Sequence, residues 1–551
     1  MIRQLVSYYK LKRLRRILRG HRRLKQSDCL KTINVVNEAL TTAVCIKDGV
    51  FSRSIFGAAV GNEELAIRQY LLMRFVSVKL PKALLYAHGK TGKAGKAGKA
   101  VVCPLPSECL KIVEKHGFKV GRIRSALVWY GYMTLFFAYG VLSIGKIACQ
   151  GIKEIIFPSY PALGNFVYLE GLSAKNLPQL NKGRVSHDIV SWYRQWPGRV
   201  GELDTICHSV KGVTQSAVQG IPLISVPSAI PPLTHFSVLL RYVGWGCVAI
   251  VRAAFDLTRG RWWHALMLHE SSKAAVFRLN QNGSFASDYL FGNSGWVYRP
   301  LWTYEAQSKG ARIILYFYSA NCEGFKIAGR EADRAYLGYK SMNWPYYLVW
   351  DEYQADFIHR VAGSNANVRV VGSIWFSTSA SEIPELPPRA IAVFDIQPVR
   401  NAFYNTLGID FDYYTPEVVC KFLSDSYKAV EGGGCKLVLK RKREIGKLVH
   451  PLYRNRIKEL EGLASFVEVD ADRDAWQVIE HAIAVISMPF TSTALIAKEM
   501  GKPAIYYDPC GFLQKDDQAA HGVEILCNIE ELGAWLSKVL EKESASEGKH
   551  A

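Results

Sequence analysis

The chain has 551 residues, 49% of them hydrophobic and 21% charged, with 69 Lys and Arg against 48 Asp and Glu for a net charge of +21. That length holds two or three domains, and the composition excludes a disordered chain. The charge excess favours anionic partners: nucleic acid, acidic lipid or a phosphorylated substrate. The 12 cysteines are scattered, with no CxxC pair and no zinc-like Cys/His spacing, which fits buried thiols of a reducing compartment.

Residues 1–26 carry ten Lys or Arg and no Asp or Glu, interleaved with Ile2, Leu5, Val6, Leu11, Leu14, Ile17 and Leu18. This spacing suits a basic amphipathic helix on an anionic membrane surface, with a solvated basic arm as the alternative. No nucleic-acid motif or aromatic platform accompanies it, so nucleic acid is not expected as a partner. Nor is a signal peptide read here, because no apolar core and cleavage site follow the basic start. Residues 27–88 read as helical. TGKAGKAGKA at 91–100 is a flexible Gly/Lys loop that lacks the GxxxxGK[ST] order of a phosphate loop.

Residues 125–145 are uncharged, and about 20 apolar residues can span a bilayer. A second apolar run at 236–254 contains Arg241 and Arg252, which argues for a hairpin or a half-embedded helix. The alternative for both runs is core helix of an α/β domain. From about residue 151 the pattern becomes strand and helix. NFVYLEGL reads as a strand and loop, and VSHDIVSWYRQW as a loop entering a helix. His187 and Asp188 are the acid–base pair of this half, able to serve a reaction in which a hydroxyl needs a base; Asp188 as a plain N-cap is the alternative. Asp288, Arg299 and Glu305 flank a polar loop before a helix and could hold an acidic acceptor, or Arg299 could simply decorate the helix entrance before Pro300. In NWPYYLVWDEYQADF the aromatics Trp344, Tyr346, Tyr347, Trp350 and Tyr353 could stack on a sugar, and core packing is the commoner use. VRVVGSIW reads as a buried strand.

STSASEIPELPPR, with Pro384, Pro387 and Pro388, is the clearest linker. IAVFDI then opens a second run of alternating strands and helices, which implies a parallel, doubly wound sheet. KLVLK ends in Lys440, followed by Arg441, Lys442 and Arg443, and His450-Pro451 comes shortly after. The most informative stretch is AVISMPFTSTALIAKEMGKPAIYYDP. A strand ending at Ser487 is broken by Met488-Pro489-Phe490, and Thr491, Ser492 and Thr493 crowd a helix start. Ser and Thr cap helix N-termini with their side-chain oxygens, and a helix N-terminus attracts anions. Gly501 and Pro503 stop the helix. The functional reading is a phosphate or carboxylate held by these hydroxyls; the alternative is an ordinary capped helix.

Pro489-Phe490-Thr491-Ser492, with RPLWTYEA, YFYSAN, NWPYYLVWDEYQADF and VFDIQPVR, resembles the bacterial surface-polysaccharide biosynthesis proteins named for a Pro-Phe-Thr-Ser motif. The likeness covers roughly residues 150 to 530. It implies a GT-B-like α/β fold, with two Rossmann-like domains facing a cleft, and a glycosyltransferase. The expected division is a helical membrane-associating region at 1–150 and an acceptor domain at 151–380, with an apolar insertion near 231–256. A donor domain at 381–540 and a disordered tail at 541–551 follow.

Transferases of this type that use CMP-sugars pair a His-Pro or Lys-Pro element with a Ser/Thr element. This chain is similar in placing His450-Pro451 before the Thr/Ser cluster, though it lacks a compact Lys-Pro-His-Pro run. The implied donor site is Lys440, Arg443, His450, Ser487, Thr491, Ser492 and Thr493. The implied acceptor side is Asp288, Arg299 and Glu305, with catalysis by His187 and Asp188. No cofactor and no metal are expected. The expected partners are a nucleotide sugar (a CMP-ulosonic acid, with UDP- or GDP-sugar as the alternative), a glycan or glycolipid acceptor, and an anionic membrane surface. Localisation is expected at the cytoplasmic face of the bacterial inner membrane, peripheral or monotopic. A non-catalytic assembly or export partner is the alternative class.

Overall fold

The computed structural model describes residues 35–43, 45–46, 49–76, 80, 83–84, 100–161, 163–178, 188–211, 216–218, 220–280, 285–293, 298–329, 339–374, 386–398, 413–446, 449–471 and 473–547. The basic arm at 1–26, almost all of the Gly/Lys loop, His187 and most of the Pro-rich linker lie outside these residues.

Two sheets organise the chain. The first has the order β3-β4-β2-β1-β5-β6-β7-β8. Its strands are β1 (Phe166–Glu170), β2 (Thr205–His208), β3 (Ser216–Val218), β4 (Ile221–Ser225), β5 (Asp288–Gly292), β6 (Arg312–Tyr316), β7 (Tyr346–Val349) and β8 (Val368–Val370). Every pairing is parallel except that of β3 with β4. Central strands such as β1 and β5 are buried on both faces, so their sequences read as apolar runs rather than alternations. VRVVGSIW departs from its expectation: only Val368–Val370 pairs, on the sheet edge, with Arg369 and Val370 exposed. A terminal strand has a neighbour on one side only, which is why an apolar run there does not become interior.

The helices around this sheet are α1 (Glu63–Leu71), α2 (Ser107–Lys115), α3 (Arg122–Ile156), α4 (Ile189–Gln195), α5 (Phe236–Thr258), α6 (Trp263–Leu279), α7 (Trp302–Ser308) and α8 (Glu352–Ala362). The described part of the N-terminal region is not a separate unit. Phe75, Trp129, Met133, Leu268, Tyr289 and Trp302 belong to one continuous core, and α3 runs straight through the expected boundary at 150. Helix α6 is buried almost throughout, lying between the α3–α5 pair and α7. Close approach there depends on small residues: a Cβ at Gly140 of α3 would sit 2.7 Å from Leu268.

The second sheet has the order β11-β10-β9-β12-β13-β14. It contains β9 (Ala390–Phe394), β10 (Lys436–Lys440), β11 (Phe466–Val469), β12 (Ala484–Ser487), β13 (Ala504–Tyr507) and β14 (Ile525–Leu526), all parallel. Its helices are α9 (Pro416–Gly432), α10 (Pro451–Glu461), α11 (Ala475–His481), α12 (Thr493–Glu499) and α13 (Ile529–Glu547). In chain order this is 3-2-1-4-5-6, the doubly wound arrangement with its crossover point between β9 and β12. The first sheet, leaving out β3, repeats the same order with β8 added at the edge, its crossover between β1 and β5. The fold is therefore the two-unit α/β architecture that the resemblance implied. Helix α13 continues to Glu547, seven residues beyond the expected end of the domain at 540, because Glu, Lys, Ser and Ala after Leu540 contain no helix breaker.

Candidate functional site

In open parallel sheets, ligands bind beyond the carboxyl ends of the strands at the crossover point. Here the carboxyl edges of the two sheets meet each other. Ser319, after β6, has its Oγ 2.8 Å from Ser492 Oγ, after β12. His521 Nδ1, following β13, lies 2.7 Å from a carboxylate oxygen of Asp351, which follows β7. The Lys326 N–H donates to Asp517, the Ser373 N–H donates to Glu499 at 3.3 Å, and Ile327 bridges Leu513. One flank of the junction is thus closed by β6–β8 against β12–β14. The crossover points β1/β5 and β9/β12 lie on the same facing edges.

The loop after β12 is built by its own hydroxyls. Ser487 is fully buried, and its Oγ lies 2.8 Å from Thr493 Oγ1. Thr493 Oγ1 donates to Thr491 Oγ1 at 3.2 Å, and Thr491 Oγ1 donates to the Met488 carbonyl at 2.8 Å. A hydroxyl has one proton, so the chain runs Ser487 to Thr493 to Thr491 to Met488. Tyr506 OH donates to the Thr491 carbonyl at 2.6 Å. These bonds hold Phe490 at φ 68, a left-handed backbone that a bulky residue adopts only under constraint. Its ring packs 6.2 Å from that of Tyr414. Capping was expected of these hydroxyls, and the structure corrects this: Ser492 is at the N-cap position but makes no side-chain cap, because its Oγ pairs with Ser319 instead. Thr491 and Thr493 spend their protons inside the loop, which leaves Ser492 as the motif hydroxyl that reaches the other half.

Beside β9, the basic element divides. Lys440 and Arg441 are buried. Lys440 Nζ donates to the Ala471 carbonyl at 3.4 Å, and Arg441 ion-pairs with Glu468. Lys440 therefore ties β10 to the loop after β11. Arg443 is exposed, and its carbonyl accepts from Gln397 Nε2 at 2.6 Å. His450 caps α10: its Nδ1 accepts from the Leu452 N–H at 3.3 Å, and its own N–H donates to the Pro398 carbonyl at 2.9 Å. Acceptance at Nδ1 places the proton of the neutral ring on Nε2. Gln397 and Pro398, just past β9, thus bring Arg443 and His450 to the same edge as the Pro-Phe-Thr-Ser loop.

Asp395, which no spacing argument singled out, directly follows β9 at the crossover point. It is buried, and it accepts from Tyr453 OH of the His-Pro helix. Burial pushes its carboxyl up to about 6, and the Tyr453 bond and the nearby Arg441 charge pull the other way. Its Oδ1 has no hydrogen-bond partner among the described residues. The signal available in VFDIQP was an acid at the end of an apolar strand.

On the first sheet the sequence candidates fare unequally. Asp188 is buried and caps α4, accepting from the Ser191 N–H and Oγ, both at 2.9 Å. That occupies both carboxylate oxygens and makes it a positioning group rather than a free base. Asp288, expected on the acceptor side, has structural partners. It opens β5, at the end of the strand opposite the junction, and is locked by Arg312 Nε and Nη2 and by Tyr193 OH, each at 2.6 Å. Arg299 is buried, over the Tyr304 ring at 3.8 Å, and bonds Thr303, Gln307 and the Asn343 carbonyl. Glu305 pairs with Arg278 at 2.8 Å and accepts from the Ala58 N–H at 2.9 Å. Arg299 thus ties the start of α7 to the loop before β7, and Glu305 ties α7 to α6 and to the segment at Ala58. Trp344, Tyr347 and Trp350 are core.

The carboxyl edge instead presents Glu170, the last residue of β1 at the first crossover point. Burial raises its carboxyl above the ordinary range, and the Lys273 charge partly offsets this. A carboxylate tuned upward at a crossover point is the kind of group that general-base chemistry uses. His208 ends β2 next to it, buried, with its pKa lowered by burial.

A family model described as polysaccharide biosynthesis PFTS motif protein matches residues 248–536. No curated protein matches the chain. Among solved structures, the wall teichoic acid polymerase TagF is similar at 12% identity and TM-score 0.34, covering 75% of this chain and 90% of that one. Sucrose-phosphate synthase from Thermosynechococcus elongatus is similar at 11% identity and TM-score 0.35, covering 69% and 90%. Os79 from O. sativa, in complex with U2F and trichothecene, is similar at 12% identity and TM-score 0.34, covering 69% and 92%.

Proposed function

The chain belongs to the polysaccharide biosynthesis PFTS motif proteins, and from that premise we propose that it is a glycosyltransferase of bacterial surface polysaccharide or lipopolysaccharide assembly. It transfers a sugar from a nucleotide donor to a glycan or glycolipid acceptor. The observation that carries this reading is the Ser319–Ser492 contact. It sets the family motif against the acceptor-side sheet, at the edge where doubly wound sheets take ligands.

The donor sits over the β9/β12 crossover. Ser492, Ser319, Arg443 and His450 face its phosphate, and the Ser487–Thr493–Thr491 chain keeps the loop in shape. Asp395 stays largely protonated in mildly acidic solution and orders Tyr453. The acceptor hydroxyl attacks the anomeric carbon, and the bond from that carbon to the phosphate oxygen breaks. The nucleotide leaves with the electron pair, and the hydroxyl proton passes to a base. Glu170 suits that base better than Asp188, whose oxygens are engaged; His187 is tested beside it. Developing charge on the leaving phosphate is stabilised by Arg443 and the hydroxyl pair. The donor is a CMP-activated ulosonic acid, with a UDP- or GDP-sugar as the alternative. Attachment is to the cytoplasmic face of the inner membrane, helped by the basic arm, and no metal or cofactor is required.

A thermal-shift screen with CMP, CDP, UDP and GDP tests the donor, and CMP alone should raise the melting temperature. Purified protein with donor and lipid acceptor should release the nucleotide. No release with any donor would favour the non-catalytic assembly role. Deleting residues 1–26 should move part of the protein from membrane to soluble fraction at moderate salt; unaltered sedimentation would remove the arm from the account.

A further inference from the structure

Helices α3 and α5 form the outermost layer of the first unit, and their outward faces are oil-like. Leu127 and Leu142 of α3 are each 70% exposed, Val251 of α5 is 68% exposed, and Leu135, Leu240 and Phe255 are exposed beside them. Soluble surfaces rarely carry an apolar patch this continuous. The two helices run antiparallel in constant register. A Cβ at Gly151 would lie 3.3 Å from Leu239, one at Gly246 would lie 2.7 Å from Ile144, and one at Gly260 would lie 3.5 Å from Tyr130 OH. In each pair the residue numbers sum to the same value, so the face extends over some twenty residues, about 30 Å at 1.5 Å per residue.

Both helices are long and apolar enough to cross a bilayer by length and composition. Their packing argues otherwise. On its inner side α3 meets α6 through Gly140 against Leu268 and through Ser143 Oγ, 2.7 Å from Ser272 Oγ, and α6 carries the buried Glu270 paired with the half-buried Lys273 at 3.1 Å. Helix α6 in turn packs on α7 of the sheet unit. A spanning α3 would pull that ion pair and its sheet into hydrocarbon, at a prohibitive desolvation cost.

The charges of the layer are sorted by side. Arg124, Lys146, Lys153, Arg241 and Arg259 are exposed. Both acids of these segments are satisfied internally. Asp256 is buried against Arg252 and His264, at 2.7 and 2.6 Å. Glu154 accepts from the Ser159 N–H at 2.6 Å and from the Tyr160 N–H. An outward apolar face with exposed cations, one acid buried and the other engaged by backbone N–H groups is complementary to an anionic leaflet, into which apolar side chains sink while Lys and Arg reach up to the phosphates.

We propose that the α3–α5 face docks in the plane of an anionic lipid bilayer, half-immersed and without crossing it, so that the first sheet stands on the membrane. This goes beyond the transferase reading and does not depend on a donor being bound. The test uses the full chain and vesicles of phosphatidylcholine with about 30 mol% phosphatidylglycerol. The triple variant Leu127→Glu, Leu142→Glu, Val251→Glu should bind these vesicles at least about tenfold more weakly, with an unchanged melting temperature, because all three side chains are exposed. Equal binding by the variant overturns the proposal. Nitroxide labels on Leu127→Cys, Leu135→Cys and Leu142→Cys, taken one at a time, should report the same shallow depth. A depth that runs from one headgroup layer toward the other would mean a span, and overturns it. A lipid-free dimer that the triple variant converts to monomer, with no lipid effect, would assign the face to a second copy instead. Since vesicle binding is read without donor or acceptor, a failed transferase assay leaves this result standing, and the reverse holds equally.

Discussion

Ser319 Oγ and Ser492 Oγ lie 2.8 Å apart, one past β6 of the first sheet and the other in the Pro-Phe-Thr-Ser loop past β12 of the second. Each is a small hydroxyl at the carboxyl edge of its own sheet, and together they make the family motif part of the junction. Ser492→Ala and Ser319→Ala should each weaken nucleotide-sugar binding about five- to tenfold, the worth of one hydrogen bond. The double variant should lose little more, since the two share one contact. Calorimetric titration reads this; unchanged affinity in Ser492→Ala would remove the motif from the donor site.

Thr491→Ala and Thr493→Ala should behave differently. Their protons are spent inside the loop, so each should cost about 1 kcal/mol of stability. Any loss of affinity would then follow from the altered loop. Denaturant midpoints separate the two classes. A loss of donor affinity at full stability would mean that the threonines touch the donor.

Glu170→Gln keeps the shape at the end of β1 and removes the base. A decrease of about 10²- to 10⁴-fold in kcat, with KM little changed, is the expected signature. His187→Ala, assayed in parallel, decides between the two candidates. If kcat in Glu170→Gln stays within a factor of a few of the parent, the base lies elsewhere.

Asp395 sets a pH dependence of stability. Its folded carboxyl is raised to about 6 by burial, whereas an unfolded Asp titrates near ~3.9. Between these values the folded state holds a proton that the unfolded state has lost, so stability falls as pH rises from about 4 to 6. Two units correspond to about 3 kcal/mol at most. Asp395→Asn keeps the Tyr453 bond and should flatten this slope, becoming more stable than the parent at pH 7. Identical stability–pH curves for the two proteins would contradict the assignment.

Asp288 was a candidate for the acceptor and is a structural anchor. Its carboxylate pairs bidentately with Arg312 and accepts from Tyr193. Asp288→Ala should destabilise by about 3–5 kcal/mol, because Arg312 is left without its counter-charge. Acceptor KM measured on whatever protein folds should be unchanged, and a specific rise in KM would restore the binding role.

Much of the architecture was legible in the residues. Apolar runs such as FVYLE, AIAVF and AVIS became central strands, since a strand buried on both faces must be apolar throughout. Gly501 and Pro503 ended α12 where local chemistry says a helix ends. The alternation of strands and helices implied two parallel sheets, because parallel strands need crossover helices. All of these depend on near neighbours in the chain, and a sequence carries that information directly.

What required the tertiary structure was which end of each strand meets the other sheet. Asp288 and Glu170 are both acids at the end of an apolar strand. One lies at the amino end of β5, neutralised by Arg312 from the next strand. The other lies at the carboxyl end of β1, on the edge facing the second unit. Likewise Thr491, Ser492 and Thr493 read alike in sequence, yet two turn back into their own loop and one reaches Ser319. Partners separated by some 170 residues decide that difference, and hydrogen-bond choice among identical hydroxyls is a matter of distance in space.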